Sequence, residues 1–433
     1  MSDWIGRTVT SDTGWDHLER LVDVGSRMAG SDGERAAAAS TRDALAAHAR
    51  NAHLDEFDIR GWTREGSALT VGDDDHDCIA LPRSPSTTVS GEFVDLGAGL
   101  PEEFESRDLA GDVVMVTSDA PSWFERTVHR REKYYRAAAA GAAGFVFRNH
   151  YPGGLAPTGS VGSPDAPIGP IPAVGVSKEV GARLARRHDG DHATLSVEAD
   201  IGAATSQNVH ADVGPETDAE VLVTAHVDAH DISEGAMDNG AGTAMVVELA
   251  RILAEREDEL DTRVHFACFG AEEVGLLGSA YDADARALDD VTAVLNLDGV
   301  VAARTLSATT SGFDALTDAV EAVGARFDHP VSVDPSIGAH SDHWSYVARG
   351  VPGVHLASDT GDIGRGWGHT AADTLDKLEV RTFREQAVLV AALAVDVADD
   401  SFSVAHAAPA DVAAACEEQG VAPGLKATGD WPF

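Results

Sequence analysis

Seven side chains stand out by their type and by where the chain puts them: His226, Asp228, Asp238, Glu272, Glu273, Asp298 and His369. His226 and Asp228 close the apolar run Val221-Leu-Val-Thr-Ala-His-Val-Asp, and Asp238 lies in the glycine-rich Gly235-Ala-Met-Asp-Asn-Gly-Ala-Gly. Glu272 and Glu273 follow Ala267-Cys-Phe-Gly-Ala, Asp298 closes Val294-Leu-Asn-Leu-Asp, and His369 sits in Gly366-Trp-Gly-His. Mixed imidazole and carboxylate donors suit zinc better than calcium or magnesium. Two imidazoles and three carboxylates, with one glutamate to spare, exceed what one tetrahedral ion accepts. Two metals ~3.5–4 Å apart that share a bridging carboxylate use them naturally. Adjacent glutamates raise each other's pKa unless a cation is close. A metal held by one of the pair leaves the other to work as a base near the operating pH. Asp228, two residues beyond His226, falls on the same face of an extended chain, where a carboxylate can fix the tautomer of a metal-binding imidazole. Taken singly, His-X-Asp is more often structural than catalytic and Asp-Asn-Gly is as often an ordinary turn; the joint pattern carries the weight.

These residues need a scaffold, and its elements are legible. The runs 220–226, 263–269 and 291–298 read as apolar strands that end beside the candidate donors. Helices are expected at 240–256, around 273–286, at 341–349 and, as the closing element, at 380–398. A further βα unit is expected over 304–325, with strands near 331–333 and at 353–356. Such alternation predicts a mostly parallel mixed α/β sheet sandwiched by helices, with ligands bound outside the carboxyl ends of the strands. Residues 12–50 read as two helices around a Gly-Ser turn, and 54–72 as a half-exposed strand. Between 79 and 202 the texture changes to short β-like runs with few helices, which marks an inserted β-rich module. The expected organisation is 1–78, the insert 79–202, a catalytic part 203–400 and a tail 401–433 to which no chemistry is assigned. His230 and His265 read as surface or sheet residues, and Cys268 as an inert core thiol.

Composition narrows the partners. The 433 residues carry 72 acidic and 32 basic side chains, a formal net charge of −40. Such a chain repels itself in dilute buffer, whereas at molar salt the screening length falls to ~3 Å. The carboxylates are spread along the chain, which reads as adaptation to high internal salt, and nucleic acid and anionic membranes are excluded as partners. Three well-separated cysteines point to a reducing compartment. With no basic and apolar leader and no run near the ~20 residues of a membrane span, a cytoplasmic protein is expected, and a homo-oligomer is compatible with it.

Two resemblances follow from these motifs. The run Leu109-Ala-Gly-Asp-Val-Val-Met-Val, Ala138-Ala-Ala-Gly-Ala-Ala-Gly-Phe-Val-Phe and Ile171-Pro-Ala-Val-Gly-Val-Ser resembles the protease-associated (PA) domain. The order His, Asp, Glu-Glu, Asp, His closely resembles the di-zinc exopeptidase family of bacterial leucyl aminopeptidases, aminopeptidase Y and glutamate carboxypeptidase, many of which carry a PA domain at this point. That resemblance implies two Zn2+, with cobalt or manganese as substitutes: His226 and Asp298 on one, Glu273 and His369 on the other, Asp238 bridging. It also implies Glu272 as the general base acting on a metal-bridged water, Asp228 orienting His226, and peptides as substrates of an aminopeptidase. Asp342 and His343, in His340-Ser-Asp-His, and Trp367 are the expected pocket residues. The alternatives are a carboxypeptidase for acidic C-termini, which needs clustered arginines (Arg304, Arg349, Arg365), a glutaminyl-cyclase-like acyltransferase, and a non-catalytic binding homologue.

Overall fold

The computed structural model describes residues 3–361 and 367–433. Its central sheet places strands Val331–Asp334, Leu306–Thr309, Gly353–Ser358, Val291–Leu297, Glu220–His226, Arg263–Phe269 and His192–Val213 side by side in that order. Four of these six pairings are parallel and two antiparallel, so the sheet is mixed and mostly parallel, as the strand–helix alternation predicts. Strand Glu220–His226 shows why the runs are apolar throughout. Val221, Val223 and Ala225 face a core shared with helices Thr13–Asp23, Ala241–Ala254 and Val380–Val397, while Leu222 faces a second layer with Ala283, Val294 and Tyr346. A strand buried on both faces has no position for a polar alternation. Among the described residues, no helix is long and apolar enough to cross a membrane.

The insert is a second small sheet. Strands Thr87–Asp95, Val113–Thr117, Gly144–Arg148 and Ala173–Val176 run parallel, with helices Arg130–Ala139 and Lys178–Arg187 packed around them. Its attachment is not a flexible linker. Strands Arg50–Val71 and His192–Val213 pair as a long antiparallel ribbon from Arg50–Asp212 to Val71–Ala193. One end of the second strand pairs with Arg263–Phe269 and the other with Thr87–Glu92. The strand expected at 193–199 therefore runs unbroken to Val213, straight through the expected boundary at 202. A hydrophobic core containing Val113, Val146, Val174 and Leu184 of the insert also contains Met28, Ala29, Ala271 and Val274 of the main body.

The tail does more than the sequence suggests. Helices Pro409–Glu418 and Ala422–Thr428 bury Val412, Cys416, Ala422 and Leu425 in the main core, and Asp430 pairs with Arg131 of the insert at 2.5 Å.

Candidate metal centre

The donors converge where the central strands end. His226 is the last residue of its strand, and its Nε2 lies 3.3 Å from Asp238 Oδ1 and 3.6 Å from Asp298 Oδ1. On the other side, His369 Nε2 lies 3.1 Å from Asp238 Oδ2 and 3.2 Å from Glu273 Oε2. Donors at ~2.1 Å around one tetrahedral ion stand about 3.4 Å apart, so both groups have the spacing of a metal's ligand shell. Asp238 belongs to both groups, one carboxylate oxygen in each. His226 Nε2 is buried and has no aligned hydrogen-bond partner despite the oxygens around it. A lone pair directed between carboxylates rather than at one of them fits a cation. Glu272 stands further out, its Oε2 4.0 Å from His226 Nε2, and it lines the neighbouring cavity.

Each donor is held from behind. The Asp238 loop is positioned by Asp373, whose carboxylate accepts the backbone N–H of Met237 at 2.7 Å and of Asp238 at 3.1 Å. Its glycines are close-packed: Gly235 has φ +58°, and a Cβ there would stand 2.4 Å from Ala229 Cβ. Asp298 accepts a hydrogen bond from Ser341 Oγ at 2.8 Å, Ser341 Oγ accepts one from Asn296, and Asn296 accepts one from Thr224. Asp228 touches both the His226 ring and the glutamate turn. Its carboxylate accepts the backbone N–H groups of Glu272 and Glu273 at 3.1 and 3.2 Å, while His226 Nδ1 meets the Asp228 carbonyl at 3.1 Å and the carboxylate only at 3.4 Å. Asp228 thus fixes the turn that presents the two glutamates. Glu34 supports the same turn by accepting the Ala271 N–H at 3.1 Å.

The environments of the two glutamates diverge. Burial first, then the carboxylates of Glu273, Asp342 and Asp298, push the Glu272 carboxyl well above the usual range against the pull of His226. Burial also acts to raise Glu273, but His230 and His369 hold it below that range. One carboxyl is suited to carry a proton and its neighbour to stay ionised.

Two residues that matter here escape the sequence reading. His230 is not a surface residue: it is buried, with Nε2 2.9 Å from Glu273 Oε2 and its ring edge-on to His369. Its spacing, His-X-Asp-X-His, is the signal that was there to be used. Arg27 is 1% exposed and donates to the carbonyls of Leu21, Val227, Glu234 and Gly235 at 2.7–3.1 Å, bracketing the loop between His226 and Asp238. No local pattern distinguishes it from a surface arginine. Cys268 is buried, which pushes its thiol up to about 12, so it is inert, and His265 lies in its strand against Asp212.

A cavity of about 500 Å³ opens over Glu272, Glu273 and His369. Its walls come from three parts of the chain: Leu276, His340 and Trp344 from the main body, His129, Arg130 and Arg131 from the insert, and Asp430, Trp431 and Pro432 from the tail. Asp342 and His343 are fully buried behind the donors and do not line it; their neighbours His340 and Trp344 do, because the segment turns into helix Trp344–Val347 there. Trp367 is 40% exposed and is absent from the lining. The insert also touches a donor directly, since Thr158 N–H donates to the His369 carbonyl at 2.8 Å.

Comparison with known proteins adds the following matches. Residues 208–394 match the model of peptidase family M28, and residues 87–184 match that of the PA domain. The peptidase match thus covers the catalytic strands and most of the closing helix, and the PA match most of the insert. The PA-domain match lies ahead of the peptidase match, as the insert lies ahead of the catalytic strands. The chain is 26% identical over 390 residues to aminopeptidase YwaD of Bacillus subtilis, covering 85% of this chain and 80% of that protein. The aminopeptidase of Aneurinibacillus sp. strain AM-1 superposes with a TM-score of 0.71 at 25% identity, over 93% of this chain and 97% of that one. The zinc aminopeptidase BSAP of Bacillus subtilis shares the fold with a TM-score of 0.70 at 24% identity, over 90% and 95%.

Proposed function

We propose that this chain is a zinc-dependent aminopeptidase of family M28 that works with two zinc ions. The observation that carries the reading is Asp238, whose two carboxylate oxygens face two imidazoles on opposite sides at 3.3 and 3.1 Å. His226 and Asp298 would hold one ion, Glu273 and His369 the other, with Asp238 between them. Bound zinc supplies Lewis acidity at a scissile carbonyl and lowers the pKa of water to ~7. Glu272 takes the proton from the attacking water and returns it to the leaving amine, a role suited to a carboxyl already displaced upward by burial and by its neighbours. The fixed turn under Asp228 keeps Glu272 turned to the cavity while Glu273 stays with the donors.

The direction of cleavage follows from charge. The cavity floor is carboxylate-rich, which favours the protonated α-amine of a peptide. The arginines on its walls are engaged: Arg349 by Asp284, Arg131 by Asp430, and Arg130 with the Ser160 carbonyl at 3.0 Å. Arg304 pairs with Glu385 away from the cavity, and Arg365 lies outside the described residues. The clustered arginines of a C-terminal carboxylate site are therefore without support among the described residues. Leu276, Trp344 and Trp431 offer the substrate's side chain an apolar wall. We also read the enzyme as a protein of a salt-rich, reducing interior, supported by its charge of −40 and three free cysteines.

The test is a panel of aminoacyl anilides and their N-acetylated counterparts, assayed at high salt with zinc. Hydrolysis of the free-amine compounds alone, abolished by a chelator and restored by zinc, is expected. Chelator-resistant turnover, or release from the carboxyl end only, refutes the reading.

A further inference from the structure

Outside the five donors already assigned, His230 has the placement of a ligand. It is 3% exposed and lies four residues beyond His226, on the loop that leaves the strand. Neither ring nitrogen has an aligned hydrogen-bond partner, although Nε2 stands only 2.9 Å from Glu273 Oε2. His226 Nε2 shows the same combination of near carboxylate oxygens and no aligned hydrogen bond. An imidazole that served to hydrogen-bond Glu273 would direct its N–H along that short contact, since charge-assisted bonds of this kind are strong and directional. The donor atoms of His230, Glu273 and His369 all lie within 4.8 Å of one another, and the two rings meet edge-on with centroids 4.6 Å apart.

We propose that His230 Nε2 is a direct ligand of the ion held by Glu273 and His369. The inference rests on the metal centre proposed above. It makes the two halves of that centre unequal. The ion beside His369 has four protein donors (His230, Glu273, His369 and Asp238), the complement of a closed tetrahedral site. The ion beside His226 has His226, Asp298 and Asp238, and keeps a position open for water or substrate. Structural zinc sites are closed and catalytic ones retain an open position, so the chain holds one ion as a permanent fixture and the other as the exchangeable, reacting one.

The experiment counts zinc per chain after equilibration with increasing concentrations of a competing chelator, at high salt, for the wild-type enzyme and for His230→Ala. The wild type is expected to release its zinc in two separate steps. His230→Ala is expected to lose the tighter ion at chelator strengths more than about 100-fold lower, beyond the ~10–100-fold effect of removing a residue that only supports a ligand. Retention of the wild-type release curve, or a shift of ~100-fold or less, overturns the proposal. X-ray absorption at the zinc edge of the unmodified enzyme serves if the variant does not fold. Three imidazoles per pair of zinc ions are expected from His226, His230 and His369, and two overturn the assignment. A wild-type chain that binds no zinc would instead refute the function proposed above, which keeps the two failures distinct.

Discussion

Replacing Arg27 with Met tests how far the catalytic loop depends on a residue that touches neither metal nor substrate. The guanidinium is buried and makes four hydrogen bonds to main-chain carbonyls, two of them on Glu234 and Gly235 just before Asp238. Its charge also faces Asp373, Asp228, Asp238 and Glu273. At a net ~1 kcal/mol per hydrogen bond the loss is about 4 kcal/mol, within the ~3–5 kcal/mol typical of removing one member of a buried charged group. That is a large share of a stability of roughly 5–15 kcal/mol. Met fills the volume but takes the guanidinium donors from four carbonyls, of which Leu21 and Gly235 keep a backbone donor in Val24 and Gly240. Arg27→Lys is expected to fare little better, because an ammonium is a single point with three donors and cannot reproduce the planar fork. Urea unfolding at constant salt and zinc gives the free energy, zinc analysis gives occupancy, and kcat/KM reports the loop. Since a 1 Å misplacement costs about 100-fold in rate, activity is expected to fall by at least that much where the protein still folds. A stability loss below ~1 kcal/mol with unchanged zinc and activity would show that the loop holds itself in place and that the carbonyls find other donors.

Glu272→Gln is expected to lower kcat by about 100- to 10,000-fold while zinc content stays at the wild-type level; wild-type turnover would remove the base assignment. Asp238→Ala takes a donor from both halves of the centre and is expected to lose zinc, measured by elemental analysis after gel filtration, with full retention counting against the bridge. Stability is expected to fall on acidification because His17 is buried, with one ring nitrogen bonded to Thr41 at 3.0 Å and the other without a partner. Burial, then Arg20 and Arg27, lowers it to about 4. A folded-state value below the unfolded one means that the unfolded chain binds the proton first, so stability present above pH ~6.5 is lost as pH falls toward ~4, by about 2 kcal/mol at pH 5. Denaturant titration of wild type and His17→Gln at pH 5 and 7 checks this, and an unchanged pH slope in the variant refutes it. Unfolding on dialysis into dilute buffer, followed by circular dichroism, is expected from a charge of −40, and a chain stable there refutes the salt reading.

Much of the centre was legible because a parallel sheet makes it so. Strands 220–226 and 291–297 must be apolar on both faces, so a histidine or aspartate at their ends is conspicuous, and the Gly-rich turn and glutamate pair are equally local. What could not be read comes from contacts distant in sequence. Arg27 is distinguished only by the carbonyls it reaches some 200 residues later. His230 looks like a loop histidine until the chain folds His369 against it. Asp342 and His343 are expected in the pocket because the family resemblance places a Ser-Asp-His segment there, but the short helix that follows turns them inward and presents Trp344. The tail contains no motif, and its part in the cavity arises from packing alone.

The ribbon between the two sheets bears on how this protein comes apart. Ala271 and Val274, either side of the Glu272–Glu273 pair, are buried in a core that the insert also builds. The strand that pairs with the catalytic sheet at Val209–Val213 is the same strand that pairs with the insert at Ala193–Val197. The insert is therefore not a cassette that can be cut out or exchanged at its ends. Its removal would uncover the apolar underside of the glutamate turn and leave a sheet edge unpaired. Heat should then melt the molecule as a single cooperative block rather than one domain after the other, and differential scanning calorimetry should record one transition whose calorimetric and van't Hoff enthalpies agree.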